Sequence, residues 1–486
     1  MPIDTVEILR ELVAIPSVNP MGRHDLPSAG EARLTEHLAA RLTALGLFVQ
    51  RQTVAPGRET LLARLEGEPP AERGGGLLLL DAHQDTVPAD HMTIEPWSAT
   101  VREGRLYGRG ACDVKGGMAA MIAAVARLAA ERPAGMPTIL LSCPADEEYQ
   151  FSGVRALTAA WGLSQFSSKR KWDCPLSPSE SLPSPLAGEG SGARGKPGAR
   201  PLQGGGTGAT AGSSSSAEDT VGQANRGTHT SRAVDQETKV LLAHRQSLYL
   251  PRLPDAAIVA EPTGLDVVVA HKGVIRWFCH ARGRAAHSSQ PAQGDNAVYR
   301  MARVVTAIER YAREVLATRP GHALCGPYTL NVGAIRGGTS VNIVPEQCTI
   351  EIEIRVPPGG DPQLARSELI EYLASIGEEG GARNALQHDP PYMVGPALSE
   401  QTNAVLAERL VATVREMIGQ CRRRGVPYAT HAAFYSSLGI PAVVFGPGAI
   451  EQAHTADEWI SLDQLRQAAE ILYRFIRDCP FLPRKS

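Results

Sequence analysis

The stretch that decides the fold runs from residue 77 to residue 85, Leu77-Leu78-Leu79-Leu80-Asp81-Ala82-His83-Gln84-Asp85. Four consecutive leucines in a short, wholly apolar run mark a strand buried on both faces. His83 and Asp85 follow directly. In extended chain, residues two apart point the same way, so the imidazole and the carboxylate share a face. They also stand at the carboxyl end of a strand, where open α/β sheets bind ligands. A carboxylate in that place can hold the second ring nitrogen of a metal-ligating histidine. Taken alone, the pair reads more plainly as two hydrogen-bonded polar groups at a strand end.

Outward from this strand the pattern repeats. Asp4-Thr5-Val6-Glu7 is an N-cap with its capping partner at the start of an amphipathic helix. Ser28-x-x-Glu31 precedes Leu34, Leu38, Leu42 and Leu45 at helical spacing, and Gly46 supplies a stop. Met118 to Arg132 is Ala-rich and helical, and Thr138 to Cys143 reads as a second buried strand. Such alternation predicts an α/β fold with a mostly parallel sheet covered on both sides. From about 164 to 250 the chain turns rich in Gly, Ser and Pro, as in Pro183-Ser184-Pro185 and Ser213-Ser214-Ser215-Ser216. That composition cannot bury enough apolar surface to offset ordering entropy, so a disordered insertion is expected. Ala256–Ala260 resumes as a short strand. Gly273–Arg282 reads as a strand and Asp295–Leu316 as a helix. Thr349–Val356 alternates, with Ile350, Ile352, Ile354 and Val356 on one face and Thr349, Glu351, Glu353 and Arg355 on the other. This is a half-buried antiparallel strand, followed by a helix over Asp361–Ile376. The α/β pattern returns with a helix over Glu400–Ile418, a strand over Ala442–Phe445 and a helix over Leu462–Arg477. The expected division is therefore one domain made of 1–163, 251–270 and 387–486, interrupted by the insertion 164–250 and by an α+β module at 271–386.

Composition narrows the functional classes. The 486 residues include 49 Lys and Arg against 51 Asp and Glu, a net charge of −2. Phosphate binding needs a surplus of cations, so nucleic acid is not expected as a partner. The basic run Arg422-Arg423-Arg424 reads as a solvated patch or a helix end. No stretch approaches 18 apolar residues, so no membrane partner is expected. Met1–Val13 lacks the basic start and apolar core of a targeting segment. The eight cysteines are scattered without a Cys-x-x-Cys pair, which suggests neither a disulfide framework nor a thiolate metal site. A cytoplasmic protein is the expectation.

Further candidate groups follow the same rule of place. Asp113 lies in the Gly-dense loop Gly108-Arg109-Gly110-Ala111-Cys112-Asp113-Val114-Lys115-Gly116-Gly117. A phosphate-cradling loop fails on spacing, because Lys115 is followed by Gly rather than Ser or Thr. A helix N-cap and a bridge between two cations remain as readings of Asp113. Asp146-Glu147-Glu148 follows the strand Thr138–Cys143, and adjacent carboxylates there repel unless cations neutralise them. One of the glutamates can bind metal while its neighbour faces a water. Glu261 ends the strand Ala256–Ala260, and His454 follows Gly446-Pro447-Gly448. Each is unremarkable alone. Together His83, Asp113, Glu148, Glu261 and His454 form an oxygen/nitrogen donor set suited to two divalent cations such as zinc.

These five separated motifs, in this order, resemble those of the co-catalytic zinc amidohydrolases and metallopeptidases, a family that includes acetylornithine deacetylase, succinyl-diaminopimelate desuccinylase, aminoacylases and carboxypeptidase G. The resemblance covers almost all of the chain except the insertion. It implies that His83 and Glu261 hold one zinc, Glu148 and His454 the other, and that Asp113 bridges them with a cis peptide on its C-terminal side. Cobalt or manganese could stand in for zinc. Asp85 would orient His83, and Glu147 would be the general base for hydrolysis of an amide in a small N-acyl amino acid. The inserted module would be a lid that also forms a homodimer. Gly283-Arg284-Ala285-Ala286-His287-Ser288-Ser289 resembles the segment whose histidine stabilises the oxyanion in the partner's active site. Asn342 and Arg355 resemble lid residues that bind the substrate carboxylate, although Arg355 also shares a face with Glu351 and Glu353 and could pair with them. The segment Phe445-Gly446-Pro447-Gly448-Ala449-Ile450-Glu451-Gln452-Ala453-His454-Thr455 looks most like the acetylornithine deacetylases. Ala429-Thr430-His431-Ala432 departs from their common Gly-Thr-Asp-Ala, which leaves recognition of the substrate amine open. Deacetylation of N-acetylornithine is the first expectation. A desuccinylase, a broader aminoacylase, a dipeptidase or a carboxypeptidase are alternatives, and a non-catalytic binding protein on the same fold is the alternative of another class.

Overall fold

Leu77–Asp81 is a fully buried strand, and its alternate residues feed two separate cores. Leu78 and Leu80 face the helices Thr5–Val13, Gly116–Glu131, Ala404–Ile418 and Leu462–Asp478, whereas Leu77 and Leu79 join Val154, Leu157, Trp161 and Tyr435 on the opposite side. Each fully buried leucine contributes roughly 2 kcal/mol relative to exposure. The computed structural model describes residues 4–23, 30–165, 252–377 and 386–478. The segment expected to be a disordered insertion, 164–250, lies outside the described residues save for its first two positions, which end the helix Ser152–Gln165.

The main sheet has eight strands: β1 (Phe48–Ala55), β2 (Arg58–Leu65), β3 (Leu77–Asp81), β6 (Thr138–Cys143), β7 (Ala256–Val259), β8 (Val267–His271), β14 (Arg423–Val426) and β15 (Ala442–Val444). Between them in sequence, β4 (Thr100–Arg102) and β5 (Arg105–Tyr107) form a small sheet with β16 (Trp459–Ser461). The main order is β1-β2-β6-β3-β7-β15-β8-β14. Its centre, β6-β3-β7-β15, is parallel, while β1, β2 and the β15–β8 contact are antiparallel. The sheet is thus mixed, with a parallel heart. The carboxyl ends of its four central strands open on one edge, where ligand sites form.

A second sheet holds β9 (Gly273–Arg282), β10 (Thr329–Gly337), β11 (Gln347–Val356), β12 (Leu386–His388) and β13 (Met393–Gly395), so it extends past position 386. The alternation read in β11 is what folds it. Ile350, Ile352, Ile354 and Val356 are buried with Ile275, Trp277 and Cys279 against the helices Ala297–Glu314 and Pro362–Gly377. On the other face Phe278 stacks on Tyr392, and Tyr392 on Tyr149 in the segment after β6, at centroid distances of 5.3 and 5.4 Å.

Several local expectations shift. Asp4 caps its helix through Val6 N as expected, but Glu31 is no capping partner. It is fully buried and ion-paired with Arg58, while Ser28 lies outside the described residues. In the Arg422–Arg424 run Arg422 and Arg423 are exposed as expected, yet Arg424 is half-buried, the run enters the edge strand β14, and Arg422 and Arg424 pair with Asp266 at 3.0 and 3.4 Å. Among the described residues six cysteines are free, and no helix is long and apolar enough to cross a membrane.

Candidate metal centre

Four strand ends and one loop bring the candidate groups together. His83 follows β3, Glu147 and Glu148 follow β6, Glu261 follows β7 and His454 follows β15. Asp113 arrives from the turn before the helix Gly116–Glu131, and its peptide bond to Val114 is cis. Its carboxylate sits between the two histidines. Oδ1 is 3.1 Å from His83 Nε2, and Oδ2 is 3.3 Å from His454 Nε2. His454 Nε2 is also 3.2 Å from Glu148 Oε2. One donor atom each from His83, Asp113 and Glu148 falls within 4.8 Å of the others. His454 reaches the cluster from solvent, with its side chain 50% exposed and φ at +62°.

Asp85 organises the other carboxylates. Its Oδ1 accepts Glu147 N–H at 3.0 Å, and its Oδ2 accepts Glu148 N–H at 3.0 Å and Asn19 Nδ2 at 2.8 Å. His83 Nδ1 lies 2.9 Å from the Asp85 carbonyl oxygen and 3.6 Å from its carboxylate. The main chain therefore makes the closer contact with the ring, which fixes its tautomer and aims Nε2 at Asp113. Asp146 is turned away from its neighbours: Asn19, Arg58 and Ser152 bond it at 2.9, 3.0 and 2.6 Å.

The electrostatics show what the cluster lacks. Burial, reinforced by the surrounding carboxylates and only partly countered by His83, pushes Glu147 well above its ordinary value. Burial and nearby carboxylates likewise raise Glu148 and Glu261. Burial opposes a charged imidazole, yet the bonds to Asp113 and Glu148 raise His454 to about 11, and those to Asp113 and Asp85 raise His83. Asp113 is held below the usual carboxylate range because the two histidine bonds outweigh its burial. Five acids around two histidines crave positive charge. Two histidine nitrogens with carboxylate oxygens on every side are also the donor types that divalent cations of the zinc kind prefer, so the residues present fit such ions.

Other groups stand apart. His287 and Asn342 lie side by side on exposed loops of the second sheet's module, joined by Ser288 N–H to the Asn342 carbonyl at 3.0 Å. Arg355 bonds both oxygens of Glu353, at 2.8 and 3.0 Å. Among the described residues no hydrogen bond links these three to the cluster. His431 is buried, bonds Asp81 through Nδ1 at 2.8 Å, and stands edge-on to His83 with centroids 6.4 Å apart. It braces the floor beneath His83. Lys115 donates to the Ile15 carbonyl at 2.7 Å, turned from any phosphate site, and burial lowers it to about 7. Asn19, Arg58 and Glu458 were not foreseen from sequence, because single polar residues far from their partners leave no motif. Glu458 bonds the backbone of the Asp113 loop.

Comparison with known proteins bears on the family and the fold. The sequence model described as peptidase family M20/M25/M40 matches residues 79–478. The acetylornithine deacetylase of Proteus mirabilis (strain HI4320) is 27% identical over 481 residues, covering 97% of this chain and 96% of that protein. That of Pasteurella multocida (strain Pm70) is 28% identical over 479 residues, covering 97% of each. Among solved structures, an M20 family metallo-carboxypeptidase from Sulfolobus solfataricus superposes with a TM-score of 0.63 at 16% identity, covering 99% of this chain and 100% of that one. A dinuclear metal-binding M20 peptidase from Bacillus subtilis superposes with a TM-score of 0.53 at 14% identity, covering 98% of this chain and 97% of that one. At such identities the structures speak for the fold alone.

Proposed function

The chain belongs to peptidase family M20/M25/M40, and from that premise we propose that it hydrolyses the amide bond of a small N-acyl amino acid, N-acetylornithine first. The observation that carries the reaction type is the Asp113 carboxylate placed between His83 and His454, with Glu147, Glu148 and Glu261 close enough for their charges to interact. The acetyl and ornithine parts of the proposal are supported by similarity to deacetylases over almost the full length and by the Gly446-Pro447-Gly448 to His454 segment.

In this reading His83 and Glu261 would hold one divalent cation and Glu148 and His454 the other, with Asp113 shared between them. Zinc suits the donors best. Bound there, the ions supply Lewis acidity that polarises an amide carbonyl and acidifies water. The chain's own groups do the rest. Asp85 fixes the backbone of Glu147 and Glu148, which would limit where the Glu147 carboxylate can reach. Glu147 takes a proton from the attacking water and delivers it to the departing amine nitrogen, a shuttle for which a raised carboxyl value is suited. His287, exposed on its loop, would reach the carbonyl oxygen in a second copy of the chain, so a homodimer is part of the proposal. Asn342 and Arg355 would take the substrate carboxylate, with Arg355 exchanging Glu353 for substrate.

The test is a substrate panel on metal-stripped protein titrated with zinc, cobalt or manganese. Ornithine release from N-acetylornithine that depends on added metal is the expected result. Cleavage of a succinylated diamino acid, another N-acyl amino acid or a dipeptide instead would replace the substrate name. Absence of hydrolysis across the panel, with metal bound, would leave a binding protein.

A further inference from the structure

The carboxylate of Glu458 is fully buried four residues beyond His454, and every bond it makes goes to the Asp113 loop. Oε1 accepts the N–H groups of Cys112 and Asp113 at 2.8 and 3.0 Å. Oε2 accepts Gly110 N–H at 3.0 Å and Arg109 Nη1 at 2.7 Å. The main chain adds a fifth tie, Gly108 N–H to the Glu458 carbonyl at 3.0 Å, and β16 then pairs with β5 from Trp459 opposite Tyr107 onward. A buried carboxylate is costly unless its lone pairs are filled, and here four donors fill them.

The geometry ties together two loops more than 340 positions apart. Glu458 holds the backbone of Asp113, while His454 of the same C-terminal loop meets the Asp113 carboxylate. We propose that Glu458 is a positioning residue that sets the spacing between Asp113 and His454, and so sets the affinity of the site for its divalent cations. Resting on the metal-centre reading above, the proposal assigns a role to a residue that would touch neither metal nor substrate. An outer partner of this kind typically accounts for 10- to 100-fold in metal affinity. A glutamine retains one carbonyl oxygen for two of the four donors and turns an amide N–H₂ toward the rest. An alanine leaves all four donors without their acceptor.

The experiment measures zinc stoichiometry and dissociation constants by chelator competition on the full chain, for wild type, Glu458→Gln, Glu458→Ala and the control Leu410→Ala. Leu410 is fully buried in the helix Ala404–Ile418, so its truncation lowers stability without touching either loop. Zinc binding weaker by roughly 10-fold in Glu458→Gln and 100-fold in Glu458→Ala, with Leu410→Ala unchanged, is the expected result. If Glu458→Ala does not fold, Glu458→Gln decides. Glu458 variants that melt earlier yet bind zinc within about twofold of wild type would reduce Glu458 to a structural role and overturn the proposal. A wild-type protein that binds no zinc, cobalt or manganese overturns the metal-centre reading itself, and this proposal with it.

Discussion

Asp113 is gripped twice, its carboxylate by two histidines and its backbone by Glu458, and the consequences at this scale concern protons. Glu147→Gln keeps the shape of the side chain and removes its basicity. It should lower kcat by roughly a hundred- to ten-thousand-fold while zinc stoichiometry stays that of wild type, measured by metal analysis beside the assay. The raised values of Glu147, Glu148 and Glu261 mean that these groups bind protons more tightly folded than unfolded, as do His83 and His454. Their stabilising contribution is complete below the unfolded values and is lost as pH climbs toward the folded ones. Asp85 and Asp113, shifted the other way, have already given theirs at mildly acidic pH. The melting temperature of metal-stripped protein should therefore fall between about pH 5 and about pH 8, and saturating zinc should flatten the slope. A flat profile without metal would contradict the crowding of acids described here. The candidate positions were readable in the sequence because buried apolar strands announce their own ends, and His83, Glu148 and Glu261 stand just past them. Asn19, Arg58 and Glu458 were not, since their partners lie 66, 88 and about 345 positions away and a lone polar residue has no period.

Among the elements, β11 carried the clearest signal: its strict alternation fixed which face is buried and implied the helices that cover it. β1 and β10 carried almost none. Phe48–Ala55 holds a polar run, Gln50 to Thr53, on a sheet edge, and Thr329–Gly337 is an edge strand whose residues are exposed or at most half-buried, Leu330 and Val332 packing on the second sheet's core. Neither has a fully buried face to print a strong pattern. The helix Gly116–Glu131 offers a test of close packing at the site. A Cβ at Gly117 would lie 2.7 Å from the Cβ of Ala260, the residue that leads into Glu261. Gly117→Val should cost about 1–3 kcal/mol in denaturant melts and weaken zinc binding by pushing Glu261 aside. Preserved stability with preserved affinity would show that the helix can retreat without disturbing the strand end.

The whole molecule is assembled from distant pieces, and one mixing experiment addresses its proposed symmetry. If His287 serves a partner's centre, neither Glu147→Gln nor His287→Ala homodimers retain a complete site. A heterodimer of the two restores one, because the subunit that keeps Glu147 receives His287 from its neighbour. Co-refolding equal amounts should recover about a quarter of wild-type activity, the share of intact sites in a random twofold assortment. Recovery no greater than the mean of the two parents would place His287 outside catalysis in trans. The order of the main sheet carries a further consequence. β15 slots between β7 and β8 although the chain writes it long after both, and His454 is written later still. On the ribosome, a nascent chain extended as far as β14 has a gap in mid-sheet and lacks the histidine that meets Asp113 and Glu148. On the proposed reading, cation capture would wait until β15 and His454 have both been made, when closing the gap and completing the donor set become a single event.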